Sequence, residues 1–238
     1  MRSKVVRRGL SVVGIGAVAL LAACSSTSTQ VSDEIASQVK DKLDLSTEPG
    51  VTCPDDAEAG KGETFTCDIE FDDGTIPVKV TFKDDSNFST EVDGAVYAKA
   101  KLDSALKSSL KDGGVTVTSI DCKGSKLVVF NKKDTVTCTA TATDGSTAPM
   151  EVGLDDDNEA KTVGAVYEKE ALKTFITDQL ASSDVTVASV DCGEPALVQA
   201  AEDTTIECQG VDSTGAEATI TVALGQDGTA SIKDIAAN

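Results

Sequence analysis

Seven cysteines are the residues of this 238-residue chain with the most evident chemistry, and no histidine accompanies them. Six fall in pairs, Cys53 with Cys67, Cys122 with Cys138 and Cys192 with Cys208, at gaps of 14, 16 and 16 residues. Zinc usually takes about four Cys or His ligands at close spacing, and redox centres favour Cys-x-x-Cys, so two distant thiols per segment suit neither. The pairs read as disulfides, each closing a loop of roughly 15 residues and contributing about 3 kcal/mol in the chain-entropy picture. No metal and no cofactor is expected. Catalysis finds no support either: there is no nucleophile elbow, no phosphate loop and no carboxylate pair that stands out, so the chain is not expected to be an enzyme.

The seventh cysteine has another job. Arg2, Lys4, Arg7 and Arg8 precede an apolar run from Leu10 to Leu21, which then leads into Leu21-Ala22-Ala23-Cys24. The run is shorter than the roughly 20 residues that span a bilayer, so it reads as the apolar part of a signal peptide. Leu-Ala-Ala-Cys resembles the bacterial lipobox, whose cysteine carries a diacylglycerol. On this reading residues 1–23 are a lipoprotein signal peptide and residues 24–30 the lipidated Cys24 with a flexible tether. The chain would then be held at the outer face of the cell membrane, exposed to the cell-wall or periplasmic space. Arg7-Arg8 before Gly9-Leu10-Ser11 weakly resembles a twin-arginine signal, which leaves both export routes open. Loss of the leader leaves 17 basic against 40 acidic residues, a net charge of −23. Nucleic acid is excluded as a partner, because a basic footprint supplies most of that affinity.

The elements around the cysteines repeat. Gly94-Ala95-Val96-Tyr97 recurs as Gly164-Ala165-Val166-Tyr167, and Val115 to Cys122 recurs as Val185 to Cys192, both at an offset of 70. Such a period divides the chain into segments 31–92, 93–163 and 164–238. Each segment opens with an amphipathic stripe, Ile35, Val39, Leu43, then Leu102, Ala105, Leu106, Leu110, then Leu172, Phe175, Ile176, Leu180, which predicts a helix lying on a sheet. Alternating runs such as Phe65, Cys67, Ile69, Phe71 predict strands, and Asp73-Gly74 and Asp144-Gly145 predict hairpin turns. The expected fold class is α+β: three tandem small domains, each an N-terminal amphipathic helix packed on a three- to four-stranded antiparallel meander with one disulfide. Aromatic residues are 3% of the chain and tryptophan is absent, which suits several small cores. Tyr97 and Tyr167 are expected to begin their helices and pack the junctions between segments.

This order of helix, Val-rich strand ending in Cys, loop with an apolar pair, strand with the second Cys, and glycine turn resembles the actinobacterial domain of unknown function 4333. The resemblance would cover nearly all of residues 31–238 as three copies. It implies an envelope location and a disulfide from the two cysteines of each copy, but no reaction. The first segment departs from the pattern in a truncated first strand, Gly50-Val51-Thr52-Cys53, and a shorter loop between its cysteines.

Charge singles out the middle segment. The three segments carry net charges of −11, −2 and −10. Lys123, Lys126, Lys132 and Lys133 lie between Cys122 and Cys138, around Leu127-Val128-Val129-Phe130. With Phe130 they form a candidate binding loop for an anionic envelope component or an acidic protein. The plainer reading makes Leu127 and Val128 core and the lysines solvation. Asp155-Asp156-Asp157-Asn158-Glu159 lacks the glycine of a calcium loop and reads as a solvated turn. The expected function is a membrane-anchored, non-enzymatic binding or adaptor role; the alternative is a structural spacer that sets a distance from the membrane.

Overall fold

The structure, a computed structural model, describes residues 15–19, 27–124 and 126–238. The rest of the expected leader, Cys24 and the start of the tether lie outside the described residues. In chain order the elements are β1 (Ile15–Ala19), α1 (Thr27–Leu43), β2 (Gly50–Thr52), β3 (Thr64–Phe71), β4 (Gly74–Asp84) and β5 (Asn87–Val92). They continue as β6 (Gly94–Ala98), α2 (Lys99–Asp112), β7 (Val117–Cys122), β8 (Leu127–Asn131), β9 (Val136–Ala142), β10 (Thr147–Leu154) and β11 (Ala160–Thr162). The last are β12 (Val166–Glu168), α3 (Lys169–Ala181), β13 (Val187–Asp191), β14 (Leu197–Gln199), β15 (Thr205–Asp212), β16 (Glu217–Leu224) and β17 (Ala230–Ala237).

The helices form where the apolar stripes lie. Val31, Ile35 and Val39, spaced i, i+4, i+8, are buried along one side of α1. Lys40 and Lys42 sit in its last turn, where cations favour the helix dipole, and Asp44 at φ 54° ends it. Leu172, Ile176 and Leu180 repeat the spacing in α3. The helix α1 begins at Thr27, so it takes in residues 27–30, which the sequence assigns to the tether.

Two compact units result, residues 1–102 with 124–135 and 153–160, and residues 103–123 with 136–152 and 161–238. The first holds a five-stranded sheet in the order β1-β5-β4-β3-β2 and a two-stranded ribbon of β6 and β8. Its core joins Val31, Ile35 and Val39 to Cys67, Ile69, Val78, Val80, Phe82 and Phe88. The second contains the ribbon β12-β14 and a four-stranded sheet in the order β13-β15-β16-β17, and most of the sheet β11-β10-β9-β7. A second core there unites Leu172, Ile176 and Leu180 with Cys192, Cys208, Ile220, Val222 and Leu224.

This architecture corrects the expected fold class. Among the described residues seventeen strands in five sheets outnumber three helices, so the protein is mostly β, and it is not three tandem helix-plus-meander domains. The reason lies in the cysteines. Cys122 and Cys138 stand opposite each other on neighbouring strands β7 and β9, so the segment between them cannot enter that sheet. It folds out as β8 and pairs instead with β6, from Gly94↔Asn131 to Ala98↔Leu127. The stretch Gly94-Ala95-Val96-Tyr97 is accordingly a buried strand, not the start of a helix. Its glycine is required by close approach: a Cβ on Gly94 would lie 2.2 Å from the Phe130 carbonyl oxygen, and one on Gly164 2.2 Å from that of Ala200.

Candidate functional site

The cysteines are joined as their spacing suggests. Cys53–Cys67, Cys122–Cys138 and Cys192–Cys208 are disulfides, and all six sulfur-bearing residues are buried. Each bond ties a residue at or just past a strand end to an inner strand of a sheet, and the first and third pack with the apolar residues of α1 and α3, a structural position. Among the described residues no group of three or more His, Cys, Asp or Glu could hold a metal ion.

The candidate binding loop is not assembled as one patch. Phe130 is fully buried and meets Tyr97 edge-on at 5.8 Å, so its ring is unavailable to a ligand. Lys126, Lys132 and Lys133 are exposed, but β8 separates the first from the other two. At about 3.3 Å per residue that distance is about 20 Å. Lys123 is exposed just beyond β7. The Lys126 carbonyl accepts the Lys99 amide at 2.9 Å, while the Lys132 amide donates to Asp93 O at 3.3 Å. Lys126 also lines a cleft of about 440 Å³ with Leu45, Glu48, Glu70, Phe71, Asp72 and Asp73. Four carboxylates around one ammonium make that cleft repel an anion.

Tyrosines that the sequence assigns to junctions have a different task. The Tyr97 hydroxyl donates to the Asn158 carbonyl at 2.9 Å and accepts the Ala160 amide at 3.1 Å. It thereby ties β6 to the Asp155–Glu159 turn, where Asp155 Oδ1 accepts the amides of Asp157 and Glu159. Burial pushes the Tyr97 phenol above its ordinary pKa, the Ala160 amide opposing this. Tyr167 does the same for β12, its hydroxyl lying 2.7 Å from both the Gly225 and Thr229 carbonyls.

One functional-looking contact set has no counterpart in the sequence reading. Gln199 on β14 accepts the Glu151 amide at 2.7 Å and donates from Nε2 to the Glu151 and Val163 carbonyls at 2.8 and 2.9 Å. A side-chain amide thus imitates a β-strand along the outer edge of β10. The Ala196 amide adds a bond to Ser146 Oγ at 3.2 Å. The nearest signal in the sequence is the recurrence of Gly94-Ala95-Val96-Tyr97 as Gly164-Ala165-Val166-Tyr167, which marks the strands that β8 and β14 pair with.

The hairpin turns carry the clearest electrostatics. Asp144 Oδ1 accepts the Ser146 amide and hydroxyl, Asp212 Oδ1 those of Thr214, and Asp227 Oδ1 those of Thr229. Asp84 does likewise with Ser86 and Asn87. These bonds favour the ionised form and hold all four carboxyls below the usual range. Folding therefore gains from them above an unfolded pKa of about 3.9, and the gain is lost as pH falls through the lower folded values. Urea midpoints should accordingly fall between pH 5 and pH 2, and the Asp144→Asn, Asp212→Asn, Asp227→Asn chain should show a shallower fall. An identical slope in the two chains would exclude the turns as its source.

A family model described as Domain of unknown function (DUF4333) matches residues 12–87. The matched stretch runs from the apolar segment through Cys24 to the first disulfide and β5. No curated protein and no solved structure matches the chain. Among the described residues no helix is long and apolar enough to cross a membrane.

Proposed function

We propose that this chain is a lipid-anchored, non-enzymatic protein of the cell envelope whose main role is that of a structural spacer. The carrying observation is the fate of the loop between Cys122 and Cys138: its apolar run is strand β8, paired with β6, with Phe130 buried and its lysines dispersed. A loop spent on internal packing is poorly suited to docking. Three buried disulfides suit an oxidising compartment outside the cytosol. The lipobox-like Leu21-Ala22-Ala23-Cys24 supplies the anchor, and it lies inside the stretch that the family model matches. With α1 starting at Thr27, two residues separate Cys24 from the fold, a reach of roughly 7 Å. On this reading β1, which lies within residues 1–23, leaves with the leader, and α1 with strands β2 to β5 stays a short reach from the anchor.

An adaptor role keeps one observation in its favour, the exposed pair Lys132-Lys133 at one end of β8. The two readings part in cells that lack the native chain. Complementation by the Lys126→Glu, Lys132→Glu, Lys133→Glu chain should be complete, whereas a chain lengthened by a second copy of residues 164–238 should alter envelope spacing. A lysine variant that folds but loses a cross-linked partner would replace the spacer with the adaptor.

A further inference from the structure

Three hairpin strands occupy the same place beside a disulfide. Val78 on β4, Met150 on β10 and Ile220 on β16 each stand opposite the second cysteine of a pair, Cys67, Cys138 and Cys208. What differs is the outer edge just ahead of that residue. On β4 the neighbouring strand β5 pairs only from Val78 onward, leaving Gly74–Pro77 to other company. The β6-β8 ribbon approaches there: a Cβ on Gly74 would touch the Val129 side chain at 3.5 Å. On β10 the ribbon β12-β14 brackets the corresponding position, with the Ala196 amide on Ser146 Oγ before it and Gln199 on Glu151 after it.

On β16 no ribbon is present, and the chain covers the edge itself. β17 stays paired through Thr221↔Asp234, Ile220↔Ile235, Thr219↔Ala236 and Ala218↔Ala237, and the Asn238 amide donates to the Glu217 carbonyl at 3.1 Å. The two halves of β17 are unlike. Ala230 and Ile232 pack against the core, whereas residues 233–238 are all exposed, with Ile235 at 49%. A break in register between Thr221 and Val222 separates them and leaves Lys233 as the extra residue. The outer half is held by main-chain bonds and by the Asn238 side chain, which bonds Thr219 and Gln209, and its one large apolar residue, Ile235 opposite Ile220, is half exposed.

We propose that Asp234–Asn238 is a displaceable cap over a strand-accepting edge, Glu217–Thr221, and that the occupant it excludes is a second copy of this chain, joined β16 to β16. The edge is self-complementary. Antiparallel pairing about Thr219 sets Glu217 against Thr221, Ala218 against Ile220 and Thr219 against itself, so no like charges meet. A twofold contact of this kind closes as a dimer and does not propagate into a fibre. The cap is thus the device by which an otherwise open edge is kept from pairing with its own kind.

The test uses the full chain carrying Cys24→Ser, so that no acyl chain intervenes. Sedimentation velocity should find this parent monomeric. Deletion of residues 234–238 should produce a concentration-dependent dimer, and so should Ala236→Pro, since alternation from Asn238 aims the Ala236 amide at β16. Adding Thr219→Lys to the deletion should restore the monomer, because two ammonium groups then face each other across the twofold axis. Folded variants that stay monomeric, or a dimer indifferent to Thr219→Lys, would overturn the proposal. Should the shortened chain fail to fold, hydrogen exchange in the parent decides: the Ala236 and Asn238 amides should exchange at least about tenfold faster than those of Val222 and Leu224. Equal protection of the two sets would show that the cap does not open by itself and would end the idea.

Discussion

Phe130→Ala should lower the stability of the first unit by about 3–5 kcal/mol, the cost of removing a fully buried aromatic side chain from a core that cannot close over the space. Phe130 is 0% exposed, pairs with Ala95 in the β6-β8 ribbon and meets Tyr97 edge-on. Domains of this size are stable by only about 5–15 kcal/mol, so the loss is a large share of the total. Thermal and urea unfolding of the variant should show a transition at markedly lower temperature and denaturant, and Phe130→Leu should recover part of it. The measurement also bears on function. A Phe130→Ala chain as stable as the parent, yet poorer at holding an envelope partner, would return the residue to a binding role and remove the main support for the spacer.

Cys24→Ser should move the protein from the membrane fraction to the soluble one almost completely. Two or three acyl chains at about 0.8 kcal/mol per buried methylene hold a protein firmly, whereas the net charge of −23 left without the leader gives no attraction to anionic lipid. Growth on an alkyne-bearing fatty acid, followed by fractionation and labelling, reports both quantities. The parent should carry label and sediment with membranes; the variant should do neither. Retention of the unlabelled variant on membranes would mean that something other than Cys24 anchors the chain, and the short reach from membrane to α1 would lose its basis.

How much of this was legible beforehand varies with the element. The stripes of α1 and α3, the Asp-Gly turns at Asp144 and the pairing of the six cysteines are where pattern and spacing put them. Each depends on residues a few places apart, or on a gap that one loop can close. The ribbons β6-β8 and β12-β14 escaped, because the two strands of each are separated in the chain by a helix and another strand. A short apolar run such as Gly94–Ala98 is compatible with a helix start and with a buried strand, and periodicity over five residues cannot separate them.

The residues of the candidate loop are dispersed for a related reason. Four lysines and Phe130 are close in the chain, but β8 is an extended strand, and extension carries Lys126 and Lys132 to opposite ends while alternation turns Val128 and Phe130 inward. Tyr97 and Tyr167 likewise lie beside their helices in sequence, yet their hydroxyls reach turns some sixty residues later.

The sequence by itself determined the disulfide pairs, the amphipathic helices, the acidity and the candidate anchor at Cys24, since composition, period and spacing are properties of the chain before it folds. Which strand each apolar run joins, whether Phe130 faces solvent, and what covers the outer edges of β4, β10 and β16 were decided only in three dimensions. Backbone groups on a strand edge must find partners, and the partners available there are set by disulfides and helices brought from distant parts of the chain.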